Sequence, residues 1–134
     1  MALTKDDTIP VHSSEDIVWV RQTVRTWAVE LGFGLVDQTK LVTAASELAR
    51  NTVDYGGGGT VQLEALNNGV HRGLRLTFED HGPGIPDVEL ALQNGYTTGS
   101  GLGLGLGGAK RLANEFEIES RCGKGTRVCI TRWK

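Results

Sequence analysis

A chain of 134 residues with 39% hydrophobic and 22% charged residues has the size and balance of one ordinary globular domain, able to close a core without staples. Its net charge of −2 argues against binding nucleic acid through bulk electrostatics, and no stretch is long and apolar enough to span a bilayer. The opening MALTKDDTIP lacks an apolar signal core, so the expectation is a cytoplasmic protein with neither a membrane nor a nucleic-acid partner.

In chain order, Thr8-Ile9-Pro10-Val11-His12 reads as a short edge strand, because Pro10 cannot donate inside a sheet. Ser13 to Asp16 supply an N-cap and an acidic first turn. The apolar stripe Ile17, Val20, Val24, Trp27, Ala28, Leu31 then predicts a helix stopped by Gly32. Asp37 can cap a second helix, whose stripe is Leu41, Ala44, Ala45, Leu48, Thr52 and whose end is the run Gly56 to Gly59. Two alternating runs, Thr60 to Leu66 and Gly73 to Asp80, flank the turn Asn67-Asn68-Gly69.

The segment from His81 to Gly101 has room for one short helix near Val88 to Leu92. A glycine-rich stretch, GSGLGLGLGGAKR at 99–111, opens a further helix through Ala109 to Ala113. Strands at Glu115 to Cys122 and Thr126 to Trp133 finish the chain. Cys122 and Cys129 flank Gly123-Lys124-Gly125; a hairpin there sets Cys122 near Thr126 and turns Cys129 to the other face, so no disulfide is expected. With no repeat and no linker, residues 1–134 read as a single α+β domain, an antiparallel sheet with helices on one face.

Three clusters stand out. Glu47 and Asn51, four apart, stack on one helix face beside the apolar stripe. Alone they read as an ordinary helix edge. In Glu79-Asp80-His81-Gly82-Pro83-Gly84-Ile85-Pro86, alternation puts Asp80 on the inward face with Leu74, Leu76 and Phe78. A carboxylate there needs donors, from its own turn or from a ligand that Gly82 and Gly84 let approach. Thr126 shares a face with Val128 and Ile130, and antiparallel pairing would bring it to Asp80's end of the sheet. A hydroxyl and a carboxylate meeting there suit a polar heterocyclic edge such as adenine. The glycine-rich stretch is either a flexible loop or an anion cradle at a helix N-terminus, to which Lys110 and Arg111 could add charge.

In this order the clusters resemble the GHKL ATPase/kinase superfamily, with its Bergerat nucleotide-binding fold. Glu47 to Asn51 matches the N box, Asp80-His81-Gly82-Pro83-Gly84 the first glycine box, Gly101-Leu102-Gly103-Leu104-Gly105 the second, and Gly125-Thr126 the threonine motif. Within it, Glu30-Leu31-Gly32-Phe33-Gly34, Ser46-Glu47-Leu48-Ala49-Arg50-Asn51 and Glu79 to Asp87 are similar to the RsbT-type switch kinases of bacterial stressosomes. Related anti-sigma kinases usually carry a histidine where Asp54 and Tyr55 stand here.

The resemblance implies a two-layer sandwich with an antiparallel-rich mixed sheet, and ATP-dependent phosphorylation of serine or threonine on STAS-domain partners. It also implies activation of a PP2C-type phosphatase once the kinase is released. It makes Glu47 the general base and Asn51 the Mg²⁺ ligand, with Asp80 accepting from the adenine amino group and Thr126 supporting it. The remaining ATP contacts fall to Gly82, Gly84, Ile85, Gly101, Leu102, Gly103, Leu104, Gly105 and Lys110, and the segment from Asp87 to Gly101 would be a lid. The alternative is an anti-sigma factor or nucleotide-gated binding module that acts by sequestration.

Overall fold

The computed structural model describes residues 2–92 and 104–134. Strand β1 (Ala2–Val11) leads into helices α1 (Ser14–Glu30) and α2 (Leu35–Asp54), then strands β2 (Gly59–Asn67) and β3 (Arg72–Asp80). The one-turn α3 (Val88–Ala91), helix α4 (Leu104–Leu112) and the hairpin β4 (Glu115–Arg121) and β5 (Gly125–Trp133) follow. The five strands form one sheet in the order β1-β2-β3-β5-β4. Every pairing among them is antiparallel, so no mixed sheet is seen among the described residues.

α1 starts where Ser13 accepts the amide of Asp16 at 3.3 Å, satisfying one of the free donors of the first turn. It stops at Gly32, whose φ of 88° is the left-handed conformation that ends a helix and that a side chain resists. α2 begins two residues before Asp37, with Gly34 as its uncapped N-cap, so the expected Asp37 cap is not made. Its carboxylate instead meets the Arg132 guanidinium of β5 at 2.7 Å, a partner 95 residues away. β1 is also longer than its apolar core suggests: the polar stretch before Ile9 pairs with β2 as an edge strand can, helped by the Thr4 hydroxyl donating to the Ala65 carbonyl at 3.2 Å, and His12 lies beyond it.

The core lies between the sheet and the α1–α2 layer. Leu74, Leu76 and Phe78 of central β3 are at most 2% exposed, against Leu41, Ala45 and Leu48 of α2 and Val20 and Val24 of α1. The other sheet face is polar, with Arg75 holding Glu64 across the β2–β3 pair through two bonds of 2.9 and 3.0 Å. No helix of the described residues is long and apolar enough to cross a membrane. Both cysteines are free, Cys122 exposed and Cys129 half-buried.

The β4–β5 hairpin closes one step earlier than its glycines suggest. Arg121 pairs with Gly125, which leaves Cys122 in the turn and puts Ser120, not Cys122, opposite Thr126. Gly125 makes this possible: its φ is 111°, and a Cβ there would overlap the Asp80 carbonyl. Gly125→Ala is therefore expected to cost about 3 kcal/mol or more, read as a lowered urea midpoint at unchanged m-value.

Candidate nucleotide site

One cavity brings together four of the predicted residues, Asn51, Asp80, Ile85 and Thr126. Its walls are Leu48, Asn51, Thr52 and Tyr55 of α2 and its C-terminal end, Phe78 and Asp80 of β3, Ile85, Leu106 of α4, and Thr126 and Val128 of β5. Out to its mouth the walls leave about 330 Å³ free of atoms, of which about 20 Å³ can take the centre of a water. The space is a narrow, mostly apolar slot with a few polar groups aimed into it, the usual character of a small-molecule site.

Asp80 and Thr126 are register partners at the end of the β3–β5 pair, both on the buried face and only 8% and 9% exposed. Burial pushes the Asp80 carboxyl above its ordinary value, while the backbone amides of Gly82 and Thr126 and the charge of His81 act the other way. The Gly82 amide donates to Oδ1 of Asp80 at 2.9 Å. Part of the carboxylate's bonding is thus met by backbone amides, and the residue also lines the slot.

Asn51 lies one turn beyond Glu47 on α2. Its Nδ2 is buried with no hydrogen-bond partner, a costly state for an amide unless something else occupies the slot. Glu47 is half-buried, outside the slot's lining, and forms no hydrogen bond or ion pair among the described residues. The unpartnered amide and the unpartnered carboxylate stand one turn apart on one helix, the first able to donate to an anion and the second to take a proton. No cluster of three acidic, histidine or cysteine side chains among the described residues could hold a metal by itself. A Mg²⁺ ion here would be shared between the Asn51 amide oxygen and the phosphates it accompanies, a coordination that suits this ion.

Gly82 and Gly84 have a different task from the one expected. The space a side chain would take at Gly82 is filled by the backbone of Gly56, and at Gly84 by the carbonyl of Arg121. A Cβ at Gly56 would in turn overlap the Asp80 carboxyl. These glycines let the chain pack backbone against backbone around Asp80; they do not open its flank to a ligand. Ile85 is a buried wall of the slot, and Lys110 is exposed and outside its lining. Leu104 and Gly105 form the first turn of α4, where amides lack intrahelical partners. Gly101, Leu102, Gly103 and most of the expected lid lie outside the described residues.

Sequence reasoning missed Tyr55 and Ser120. The Tyr55 hydroxyl donates to the Gly84 carbonyl at 2.6 Å, and the Ser120 hydroxyl accepts from the Ile85 amide at 2.6 Å and shares a 2.8 Å bond with Thr126. Alternation could have found Ser120, which follows the half-buried Phe116 and Ile118 on the inward side of β4. Nothing local marks Tyr55.

A two-layer α/β sandwich with an inward carboxylate, a threonine opposite it and a polar amide on the covering helix defines a nucleotide-binding domain. Residues 36–134 match the family of histidine kinase-, DNA gyrase B- and HSP90-like ATPases, and the chain belongs to that family. It is 47% identical over 125 residues to the serine/threonine-protein kinase RsbT of Bacillus subtilis, covering 93% of this chain and 94% of that one. Within the family it belongs to the serine/threonine-kinase branch that RsbT represents. An anti-sigma F factor of Clostridium kluyveri is 30% identical over 128 residues, 91% of this chain and 89% of that one. The fold also resembles one part, 33% of the chain, of a structure of the RsbU and RsbW domains of Rv1364c from Mycobacterium tuberculosis, at a TM-score of 0.67 and 23% identity over 98% of this chain.

Proposed function

We propose that this chain transfers the γ-phosphate of ATP to a serine or threonine on STAS-domain partner proteins, in a bacterial stress-signalling switch in the cytoplasm. Released from those partners, it activates a PP2C-type phosphatase. The observation that carries the nucleotide part is the convergence on one slot of an inward carboxylate and an orphaned buried amide, Asp80 and Asn51. The kinase part is supported by the 47% likeness to RsbT.

In this reading the adenine ring enters between Ile85, Leu106 and Phe78, and Asp80 accepts its amino group. Thr126 supports that contact. Asn51 holds Mg²⁺ against the phosphates, where the ion supplies charge neutralisation. The phosphates run toward the first turn of α4, with Gly101 to Gly105 around them and Lys110 near their end. Glu47, one turn from Asn51, takes the proton of the attacking hydroxyl. Phosphoryl transfer asks mainly for positioning and charge neutralisation, and this arrangement offers both.

The second reading, sequestration of a sigma subunit gated by nucleotide, is favoured by the anti-sigma F likeness. A pure binder has no use for a free carboxylate at Glu47. The test is transfer of γ-labelled phosphate from Mg·ATP to purified STAS-domain proteins of the source cell, with pull-downs against sigma subunits in parallel. Label on one STAS protein is expected; ATP binding without label, with recovery of a sigma subunit, would overturn the kinase reading.

A further inference from the structure

Tyr55 and Ser120 grip the two sides of a single peptide group. The carbonyl of Gly84 and the amide of Ile85 belong to the same peptide bond, and each is held by a side-chain hydroxyl at 2.6 Å. Tyr55 reaches it from the end of α2, 29 residues back; Ser120 reaches it from β4, 35 residues on. That peptide carries Ile85, a wall of the slot. Both hydroxyls are part-buried.

The same bonds direct the protons. A serine hydroxyl has one proton. Because Ser120 Oγ accepts from the Ile85 amide, its own proton is free for Thr126 Oγ1 at 2.8 Å or the Gly125 carbonyl at 3.4 Å, and the shorter contact is the stronger. Either hydroxyl can be the donor of the 2.8 Å bond; with Ser120 donating along this shorter contact, Thr126 accepts, and its own proton has no other side-chain partner among the described residues. It is left to donate into the slot beside Asp80.

We propose that Ser120 and Tyr55 are positioning residues that fix the slot's polarity, one acceptor at Asp80 next to one donor at Thr126. The inference rests on the nucleotide reading above and adds its specificity. An acceptor beside a donor matches the edge of a 6-aminopurine, whose amino group donates and whose neighbouring ring nitrogen accepts. A 6-oxopurine presents the reverse at both positions. Ser120 thus selects between the two without touching either, by denying Thr126 the choice of turning its proton away.

The experiment measures equilibrium binding of ATP and of inosine triphosphate to the full chain, for wild type, Ser120→Ala, Ser120→Thr and Tyr55→Phe. Wild type is expected to prefer ATP, and Ser120→Ala to shrink the preference about tenfold, the worth of one oriented hydrogen bond. Ser120→Thr, which keeps the hydroxyl, retains the preference. Tyr55→Phe weakens ATP binding several-fold, because Ile85 is held from one side only. A purely structural serine would lower stability but leave the ATP-to-ITP ratio alone, and that result overturns the proposal. If Ser120→Ala does not fold, Tyr55→Phe, which removes one oxygen, decides: unchanged ATP affinity overturns the clasp. Wild type that binds neither nucleotide defeats the nucleotide reading itself, a separate outcome.

Discussion

Replacing Glu47 with glutamine is expected to leave Mg·ATP binding within twofold of wild type, since about that much is lost with a surface-like change, and to slow phosphotransfer at least about a hundredfold. Glutamine keeps the shape and the helix propensity of glutamate. Glu47 has no ion pair or hydrogen bond to lose among the described residues, so the fold should not register the change. What disappears is the capacity to take a proton. Single-turnover labelling of a STAS-domain substrate beside nucleotide titration separates the two effects. Unchanged labelling would remove Glu47 as the base and leave positioning alone to account for the chemistry.

Asp80→Asn is expected to abolish the stabilisation that ATP confers. At a hundredfold excess over Kd the wild type should gain roughly 2.7 kcal/mol, and a variant weakened a hundredfold should gain less than about 0.5. An equal thermal shift in both would refute the adenine contact. The protein without nucleotide supplies an internal control. Burial raises the Asp80 carboxyl above its ordinary 3.8, so the native state holds that proton more tightly than the unfolded chain does. The stabilisation this gives is complete below the unfolded value and is lost as pH rises through the folded one. Between pH 3.5 and 7, urea midpoints of nucleotide-free wild type should therefore fall relative to those of Asp80→Asn. A variant as stable as wild type at neutral pH, yet blind to ATP, separates a lost contact from a lost fold.

Most of the fold was legible because its signals are periodic. The stripes of α1 and α2 repeat every three or four residues, and their apolar members are the buried ones, Leu31 alone being only half so. In β3, alternation placed Asp80 inward, and counting by twos from Thr126 put it at the same end of the sheet, where the two are register partners. Spacing also put Glu47 and Asn51 on one helix face, but alone it read as an ordinary helix edge; the ordered resemblance of four motifs is what singled the pair out. Local rules failed where a distant partner competed. Asp37 has the side chain and place of a cap, but Arg132 takes its carboxylate. The hairpin glycines suggested a turn at 123–125, and the chain closed it at 122–124 because Gly125, in its left-handed conformation, packs on the Asp80 carbonyl.

By itself, then, the sequence determined which residues face inward, which helix carries the carboxylate–amide pair and which family the chain joins. The first two follow from spacing along one element, where neighbours are fixed by helix or strand geometry; the family follows from the resemblance of four motifs in order along the chain. Only the tertiary structure decided that Gly82 and Gly84 serve backbone packing, that Ser120 rather than Cys122 meets Thr126, and that Tyr55 and Ser120 hold one peptide between them. Apart from the Ser120–Thr126 pair, set by the closure of its own hairpin, those contacts join segments far apart in the chain. Their partners are chosen by how the sheet, the helices and the turns pack together, and no local period records that choice.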